Sequence, residues 1–186
     1  MDGPARPALF LDRDGVLNRD LGYPHLPEQI EWTPGVFEAV ARANRAGWLV
    51  CVVNNQSGVA RGLFDEAAVM RLHAWMDGEF ARHGARIDAW SYCPHHPTEG
   101  VGRYRRDCAC RKPSSGMLYD LMERFPIDRD RSVLIGDKAS DLEAAAGAGV
   151  RGVLFEGGDL GSVVAGLIPS LEWEGRDGAT SPPAAN

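Results

Sequence analysis

The sequence lacks the long hydrophobic runs of membrane proteins. Among its 186 residues, no apolar run approaches the roughly 20 residues that a membrane-spanning helix needs. The first residues, Met1 to Pro4, also lack the basic and then apolar order of a signal peptide. We therefore expect a cytoplasmic protein with no membrane partner.

Positive charge is also scarce. The chain has 20 Lys and Arg residues against 26 Asp and Glu residues, which gives a formal net charge of −6. Non-specific binding of nucleic acids relies on Lys and Arg side chains that neutralise phosphates, so we expect no nucleic-acid partner. A small anionic ligand can still bind to a local basic cluster.

Cysteine is the next scarce residue, and the spacing of the four cysteines is informative. Cys51 lies in an apolar run, which predicts a buried side chain. The other three form a Cys-x-His segment and a Cys-x-Cys segment with twelve residues between them. Three thiolates and one imidazole can hold a structural Zn²⁺ tetrahedrally, so we predict a zinc-bound loop over residues 93–110. The predicted ligands are Cys93, Cys108, Cys110 and either His95 or His96.

The composition, 44% hydrophobic and 25% charged, suits a single α/β domain, which we expect over residues 1–173. Residues 174–186 are rich in Gly, Pro and small residues, which predicts a disordered tail. Short β-rich runs alternate with helical patterns, as in a Rossmann-like parallel sheet with helices on both faces. The predicted strands are Ala8 to Asp12, Trp48 to Asn54, Ile87 to Cys93, Ser132 to Gly136 and Gly152 to Phe155.

Helices are predicted between these strands. The first is expected to have Thr33 as its N-cap and Pro34 as its first residue, and to end near Gly47. Further helices are expected over residues 65–83, 115–125 and 139–148. Residues 94–111 show no periodicity and are too long for an ordinary connection, so we expect zinc to fold them.

Polar motifs follow three of the predicted strands. Asp12 and Asp14 follow the first strand, Asn54 to Gly58 follow the second, and Asp137 follows the fourth. In an open α/β sheet, ligands bind at the carboxyl ends of the strands. These side chains are therefore expected to form one site, in which the amides and hydroxyl of Asn54 to Gly58 are donors to an anion.

The residue types in this site are those that phosphoryl transfer needs. One carboxylate of the Asp12 and Asp14 pair can attack phosphorus while the other protonates the leaving oxygen and then activates water. Both carboxylates, with Asp137 as the third, can bind Mg²⁺ through oxygen. Arg111 and Lys112 offer positive charge to phosphate oxygens. The sequence thus predicts a magnesium-dependent phosphatase.

The motifs, taken together, resemble the haloacid dehalogenase (HAD) phosphatase superfamily. The motifs are Asp12-Arg13-Asp14-Gly15-Val16-Leu17-Asn18, Asn55-Gln56-Ser57-Gly58, Arg111-Lys112-Pro113 and Gly136-Asp137-Lys138 with Asp141. A narrower set resembles the family of heptose 1,7-bisphosphate 7-phosphatases and their histidinol-phosphatase relatives. That set is Gly22-Tyr23-x-His25, Gln56-Ser57-Gly58-x-Ala60-Arg61-Gly62, Cys93-Pro94-His95-His96-Pro97 and Cys108-x-Cys110-Arg111-Lys112-Pro113.

The resemblance assigns roles to individual residues. It implies that Asp12 is the nucleophile that becomes an aspartyl-phosphate, that Asp14 is the general acid and base, and that Lys112 stabilises the phosphoryl group. The implied Mg²⁺ ligands are Asp12, Asp14 through its backbone carbonyl, and Asp137. The pattern favours His95 as the zinc ligand. The residues implied to line the substrate site are Asp20, Leu21, Gly22, Tyr23, Asn54, Asn55, Gln56, Ser57, Arg61, Arg111 and Lys138.

The resemblance also sets the expected substrate, a small phosphorylated sugar. It implies removal of the C7 phosphate from D-glycero-D-manno-heptose 1,7-bisphosphate, with Arg111 recognising the non-reacting end. Histidinol phosphate is the alternative substrate, and a zinc-stabilised binding protein without catalysis is the alternative class. The family has Thr or Ser where this chain has Asn54, and an amide reaches a phosphate differently from a hydroxyl. We expect a monomer without a large cap domain.

Overall fold

The computed structural model describes residues 4–168, which contain an open parallel β-sheet with helices on both faces. The strands are β1 (Ala8–Leu11), β2 (Leu49–Asn55), β3 (Ala89–Cys93), β4 (Val133–Gly136) and β5 (Arg151–Leu154). They lie in the order β3-β2-β1-β4-β5, and each neighbouring pair is parallel. The winding of the chain reverses between β1 and β4. Residues that follow these two strands therefore lie at the crevice where such sheets bind ligands.

The helices cover the two faces of the sheet because side chains alternate along each strand. The α-helices are α1 (Val36–Arg45), α2 (Ser57–Ala60), α3 (Glu66–Arg82), α4 (Gly116–Arg124), α5 (Ala139–Ala148) and α6 (Leu160–Leu167). Leu9 and Leu11 face one side and pack with α1, α3 and α6, whereas Ala8 and Phe10 face α4 and α5. Three single-turn 3₁₀ helices lie in the connections.

The predicted fold class is confirmed, and the strand bounds differ by one or two residues. The predicted start of the first helix is wrong. Thr33 belongs to the preceding loop, where its N–H donates to the carbonyl of Leu17, and α1 begins only after Gly35. Gly35 has a φ of 74°, and a side chain there would clash with the start of α6. The residue before α1 must therefore be a glycine, and this places the N-cap at Gly35. The sequence pattern alone favours Thr33 as the N-cap and Pro34 as the first helical residue.

Two helices were not predicted. The first, α2, has only four residues, too few to show a helical period, and α6 contains two glycines, which weaken a helical pattern. The predicted tail, residues 174–186, and the last residues of the predicted domain lie outside the described part of the chain. In residues 4–168, no helix is long and apolar enough to cross a bilayer, and no element of a separate cap domain occurs.

Candidate active site

A polar cavity of about 570 Å³ opens at the carboxyl ends of β1, β2 and β4. Its volume lies in the range of small-molecule sites. The cavity brings together residues from the first, second and fourth strand ends and from the segment that precedes α4. Its lining consists of Asp12, Asp14, Asp20, Gly22, Tyr23, Asn55, Ser57, Arg111, Lys112, Pro113, Lys138, Ser140 and Asp141.

Lys112 lies at the floor of this cavity between two carboxylates. Its Nζ atom lies 2.7 Å from Oδ1 of Asp12 and 2.6 Å from Oδ1 of Asp141, and it donates to the carbonyl of Val53 at 2.7 Å. Burial alone would lower the pKa of Lys112, but the charges of Asp12 and Asp141 outweigh burial and raise it. Lys112 is therefore a fixed positive charge next to the predicted nucleophile.

Three carboxylates surround the position where a divalent cation fits. One oxygen each of Asp12, Asp137 and Asp141 lie within 4.8 Å of one another. Burial raises the pKa of Asp12 to about 6 and also raises the pKa of Asp137, and the nearby charge of Asp141 adds to both shifts. Oδ1 of Asp137 is buried and has no hydrogen-bond partner among the described residues. A hard cation would satisfy this oxygen and offset the excess negative charge.

Asp141 is the site residue whose role sequence reasoning missed. Its motif was recognised, but no role was assigned to it. Its Oδ1 atom pairs with Lys112 and its Oδ2 atom accepts the backbone N–H of Lys138, so both oxygens are occupied. Asp12 and Asp137 are therefore the freer candidates for a metal. The motif Gly136-Asp137-Lys138 with Asp141 was the available signal for a position near the site, but it does not indicate the contact with Lys112, because Asp141 lies in α5 and Asp137 precedes this helix.

Gly15 allows the loop after β1 to approach Asp137 closely. Its φ is 102°, in the region that favours glycine, and a Cβ atom there would overlap the Asp137 carboxylate. The glycine of the Asp-x-Asp-Gly motif thus supports the candidate metal site through the space it leaves open.

Asp14 is held by four hydrogen bonds. Arg13 donates through Nε to Oδ1 at 2.9 Å and through Nη2 to Oδ2 at 2.7 Å. Asn18 donates to Oδ1 at 3.1 Å and Gln56 donates to Oδ2 at 3.2 Å. Arg13 is completely buried, and sequence reasoning assigned it no role.

The remaining predicted substrate residues occupy different positions around the cavity. Partial burial would raise the pKa of Asp20, but the 3.0 Å contact with Lys138, the hydrogen bond from the backbone N–H of Gly22 and the charge of Arg13 together outweigh burial and lower it. Asn55 fixes Lys112 by exchanging hydrogen bonds with its backbone N–H and carbonyl. Ser57 accepts a hydrogen bond from Arg111 at 3.0 Å.

Four of the predicted substrate residues lie outside the cavity lining, as does the predicted metal ligand Asp137. Gln56 contacts Asp14, as described above, and Leu21 is half exposed on the neighbouring surface. Arg61 forms an ion pair with Glu99. Asn54 is only 1% exposed, and neither atom of its amide has a partner among the described residues. The alternation of β2 places Asn55 toward Lys112 and Asn54 on the opposite face of the sheet.

The predicted zinc ligands lie together beside the cavity. The three Sγ atoms of Cys93, Cys108 and Cys110 are 3.1 to 3.4 Å apart, and Nδ1 of His95 lies 3.6 to 3.8 Å from two of them. Tetrahedral Zn–S bonds of about 2.3 Å place ligands roughly 3.8 Å apart, so the cluster has the size of a zinc site. His96 turns away.

The zinc cluster is connected to the cavity through Arg111. Nη1 of Arg111 donates to the carbonyl of His95 at 2.9 Å as well as to Ser57. Cys93 is the last residue of β3, and its carbonyl accepts the N–H of Gln56 just after β2. The loop that carries the cluster therefore positions Arg111 at one side of the cavity.

The sequence is similar to those of known proteins. The HAD-hydrolase-like family model matches residues 109–162. The D-glycero-β-D-manno-heptose-1,7-bisphosphate 7-phosphatase of Rhodopseudomonas palustris is 46% identical over 169 residues, which cover 91% of this chain and 94% of that protein. The D-glycero-α-D-manno-heptose-1,7-bisphosphate 7-phosphatase of Burkholderia mallei is 46% identical over 148 residues, 80% of this chain and 78% of that protein.

One solved structure is similar to this chain in both sequence and fold. It is the crystal structure of D,D-heptose 1,7-bisphosphate phosphatase from B. bronchiseptica in complex with magnesium and phosphate, which is 36% identical to this chain. The two structures match with a TM-score of 0.75, over 87% of this chain and 97% of that chain. Because such relatives match over most of their length, the chain belongs to the family of HAD-like D-glycero-D-manno-heptose-1,7-bisphosphate 7-phosphatases.

Proposed function

We propose that the protein removes the C7 phosphate of D-glycero-D-manno-heptose 1,7-bisphosphate and leaves heptose 1-phosphate. The observation that carries this proposal is the buried pair of Asp12 and Lys112 at the floor of the cavity, next to the Asp137 oxygen that has no hydrogen-bond partner within residues 4–168. A nucleophile, a fixed cation and a metal position in contact are the parts that phosphoryl transfer requires. The proposed substrate is that of the related heptose-1,7-bisphosphate 7-phosphatases.

The first step is the transfer of the phosphoryl group to Asp12. A carboxylate oxygen of Asp12 attacks phosphorus while the bond from phosphorus to the C7 oxygen breaks, which gives an aspartyl-phosphate and the sugar alcohol. The ammonium of Lys112, 2.7 Å from the Asp12 carboxylate, is close enough to offset negative charge on the phosphoryl oxygens.

Asp14 donates a proton in the first step and accepts one in the second. In the first step its carboxyl group protonates the departing C7 oxygen, which becomes a hydroxyl. In the second step its carboxylate takes a proton from water, and the water attacks the phosphorus of the aspartyl-phosphate. Phosphate leaves and the Asp12 carboxylate is restored. The position of Asp14 on the cavity wall supports this role.

Two sets of residues suit two different metal ions. The proposed Mg²⁺ ligands are the carboxylates of Asp12 and Asp137 and the backbone carbonyl of Asp14. When bound, Mg²⁺ supplies positive charge to the phosphoryl oxygens. The proposed Zn²⁺ ligands are Cys93, His95, Cys108 and Cys110, a closed set that supports the loop rather than the reaction.

Arg111 supports a bisphosphate over a monophosphate. Its guanidinium lines the cavity and is held by Ser57 and the carbonyl of His95, so it is oriented before substrate binds. A planar guanidinium suits a phosphate group at the non-reacting end. Histidinol phosphate has no second phosphate for this position. Because the cavity is complete within one chain, we also propose that the protein acts as a monomer.

Phosphate release tests the proposal. The purified protein with Mg²⁺ is given both anomers of heptose 1,7-bisphosphate and histidinol phosphate, and ³¹P NMR identifies the phosphate that leaves. We expect loss of the C7 phosphate, with one anomer preferred, and no turnover by the Asp12→Asn variant. Faster hydrolysis of histidinol phosphate would overturn the substrate, and turnover by Asp12→Asn would overturn the mechanism. The anomer is left to the experiment because the relatives include enzymes for each.

A further inference from the structure

Arg13, between the two catalytic aspartates in sequence, is one of the largest side chains that are completely buried. A buried guanidinium is costly unless a counter-charge and hydrogen-bond acceptors surround it. Arg13 meets this requirement through a two-bond contact with Asp14, in which Nε and Nη2 each donate to a separate carboxylate oxygen. The paired geometry fixes the plane of the Asp14 carboxylate as well as its distance.

The other contacts of Asp14 are weaker by their geometry. Asn18 and Gln56 each contribute one neutral amide donor, at 3.1 and 3.2 Å, against 2.9 and 2.7 Å for the two bonds from Arg13. Hydrogen bonds that involve charged groups are roughly twice as strong as neutral ones. Asp14 must release at least one contact to meet the leaving oxygen of a substrate. The amide contacts are the ones that yield at the lowest cost.

Arg13 also reaches the segment that lines the cavity above Asp14. Its Nη2 atom donates to the carbonyl of Pro24 at 2.9 Å, in addition to Asp14. Residues 20–24 contain cavity-lining side chains, and the far end of this segment is tied to Lys138 by Asp20. One nitrogen of Arg13 thus contacts both the carboxylate of Asp14 and the substrate-facing segment.

Among the described residues, Asp14 is the carboxylate that forms an ion pair with Arg13, and the charge of Arg13 also helps to lower the pKa of the more distant Asp20. Its Nη1 atom has no hydrogen-bond partner in the described part of the chain. The nearby imidazole of His73 is buried, which lowers its pKa to about 3, and the charge of Arg13 adds to this shift. His73 is therefore neutral. Asp14 is the partner that balances the charge of Arg13.

We propose that Arg13 is a positioning residue that orients Asp14 and couples this orientation to the segment 20–24. The proposal rests on the proposed role of Asp14 as general acid and base. When substrate displaces the amide of Gln56 or Asn18 from Asp14, the Arg13 contact keeps the carboxyl group aimed at the C7 oxygen. Movement of the segment 20–24 is transmitted to Asp14 through the same guanidinium.

The test compares two substrates that differ in their need for a general acid. The C7 oxygen of the sugar must be protonated as it leaves, whereas the nitrophenolate of p-nitrophenyl phosphate leaves without a proton. Rapid-quench measurements give the rate of aspartyl-phosphate formation from each substrate. The variants are Arg13→Lys, which keeps the charge and loses the fork, and Arg13→Gln, which keeps one donor near the position of Nε. Arg19→Lys, an exposed arginine paired with Glu31, is the control.

We expect both Arg13 variants to form the aspartyl-phosphate from heptose bisphosphate at least about tenfold more slowly, a part of the usual general-acid contribution. The rate from p-nitrophenyl phosphate should change less than about threefold. KM for the sugar should rise as well, because the segment 20–24 loses a contact. Equal losses on both substrates would show a purely structural role and overturn the proposal.

Two outcomes separate this inference from the proposed function. A wild-type protein that does not release the C7 phosphate would overturn the function, whatever Arg13 does. If neither Arg13 variant folds, a crystal structure of the wild-type protein with Mg²⁺ and orthovanadate decides the matter. The contacts of Arg13 with Asp14 and Pro24 should persist in that complex while the Gln56 contact lengthens. Separation of Arg13 from Asp14 would overturn the inference.

Discussion

Nζ of Lys112 lies 2.6 Å from Oδ1 of Asp141, and both side chains are almost completely buried. Asp141 is the third residue of α5, and its other oxygen accepts the N–H of Lys138. The start of α5 therefore holds the ammonium group of Lys112 next to Asp12. Asp141 has no direct part in the proposed reaction, but it sets the distance between the nucleophile Asp12 and the positive charge of Lys112.

Asp141→Asn is expected to lower kcat by about tenfold or more and to destabilise the fold. Lys112 would lose one of its two carboxylate partners and keep Asp12, so the cost is expected to be smaller than the roughly 3–5 kcal/mol of a buried ion pair that loses its sole partner. Urea unfolding and steady-state kinetics measure both effects. Glu143→Gln, exposed on the same helix, is the control. An Asp141→Asn variant with wild-type stability and kcat would contradict the assigned role.

Arg111→Ala is expected to lower kcat/KM for the bisphosphate by roughly 10- to 150-fold, since hydrogen bonds to charged groups contribute about 1.5–3 kcal/mol. The same variant should hydrolyse heptose 7-phosphate, which lacks the second phosphate, at nearly the wild-type rate. Arg105→Ala, exposed in the same loop, controls for loss of positive charge. Equal losses with the two sugars would place Arg111 elsewhere in the mechanism.

Gly15→Ala is expected to raise the Mg²⁺ concentration required for half-maximal activity by more than about tenfold. The added methyl group would displace Asp137 and occupy a φ of 102°, where a non-glycine residue costs about 1–2 kcal/mol. Gly62→Ala is the matched control, because Gly62 has a φ of 72° but open space around it. An unchanged Mg²⁺ requirement in Gly15→Ala would show that Asp137 does not hold the metal.

Removal of zinc is expected to speed hydrogen exchange in residues 93–110 before the rest of the protein. KM for the bisphosphate should rise at the same time, because the carbonyl of His95 holds Arg111. His95→Ala should lose the metal, whereas His96→Ala should keep it, since Nδ1 of His96 instead accepts the N–H of Thr98 and of Glu99. Metal content is measured directly. Full zinc occupancy in His95→Ala would reject the ligand set.

His73 is expected to make the protein less stable in acid. Burial lowers the pKa of this imidazole from 6.5 to about 3, so only the unfolded state binds its proton between these values. Stability therefore falls as the pH falls from about 6.5 toward 3. His73→Gln should reduce the loss of unfolding free energy between pH 7.5 and 5 by about 2 kcal/mol. Urea unfolding at both pH values measures this difference, and the exposed His83→Gln is the control. An equal loss of unfolding free energy between pH 7.5 and 5 in His73→Gln and in the wild type would contradict the prediction.

Sequence reasoning predicted the sheet and most of the cavity because the polar motifs follow strands directly. Asp12, Asp137 and Lys112 are local in their motifs, and parallel strands bring their ends together. The contacts that were missed join distant elements through a single side chain. The contact of Asp141 with Lys112 depends on the seating of α5 against the segment before α4, which no spacing encodes.

The position of Asn54 follows from the strand rather than from the motif. The motif that contains it is continuous, but strand alternation gives adjacent residues opposite faces. Asn55 meets Lys112, whereas the amide of Asn54 is buried without a described partner. The start of α1 at Val36 is different, because it depends on close contact between Gly35 and the start of α6, which is distant in sequence.

The pairing of Arg13 with Asp14 limits how this site can diverge. Asp14 supplies the counter-charge of a guanidinium that water does not reach, so a neutral residue at position 14 would leave an unbalanced charge inside the protein. A descendant that abandoned the acid and base would have to replace Arg13 in the same evolutionary step or lose much of its stability. The two positions are expected to change together or not at all.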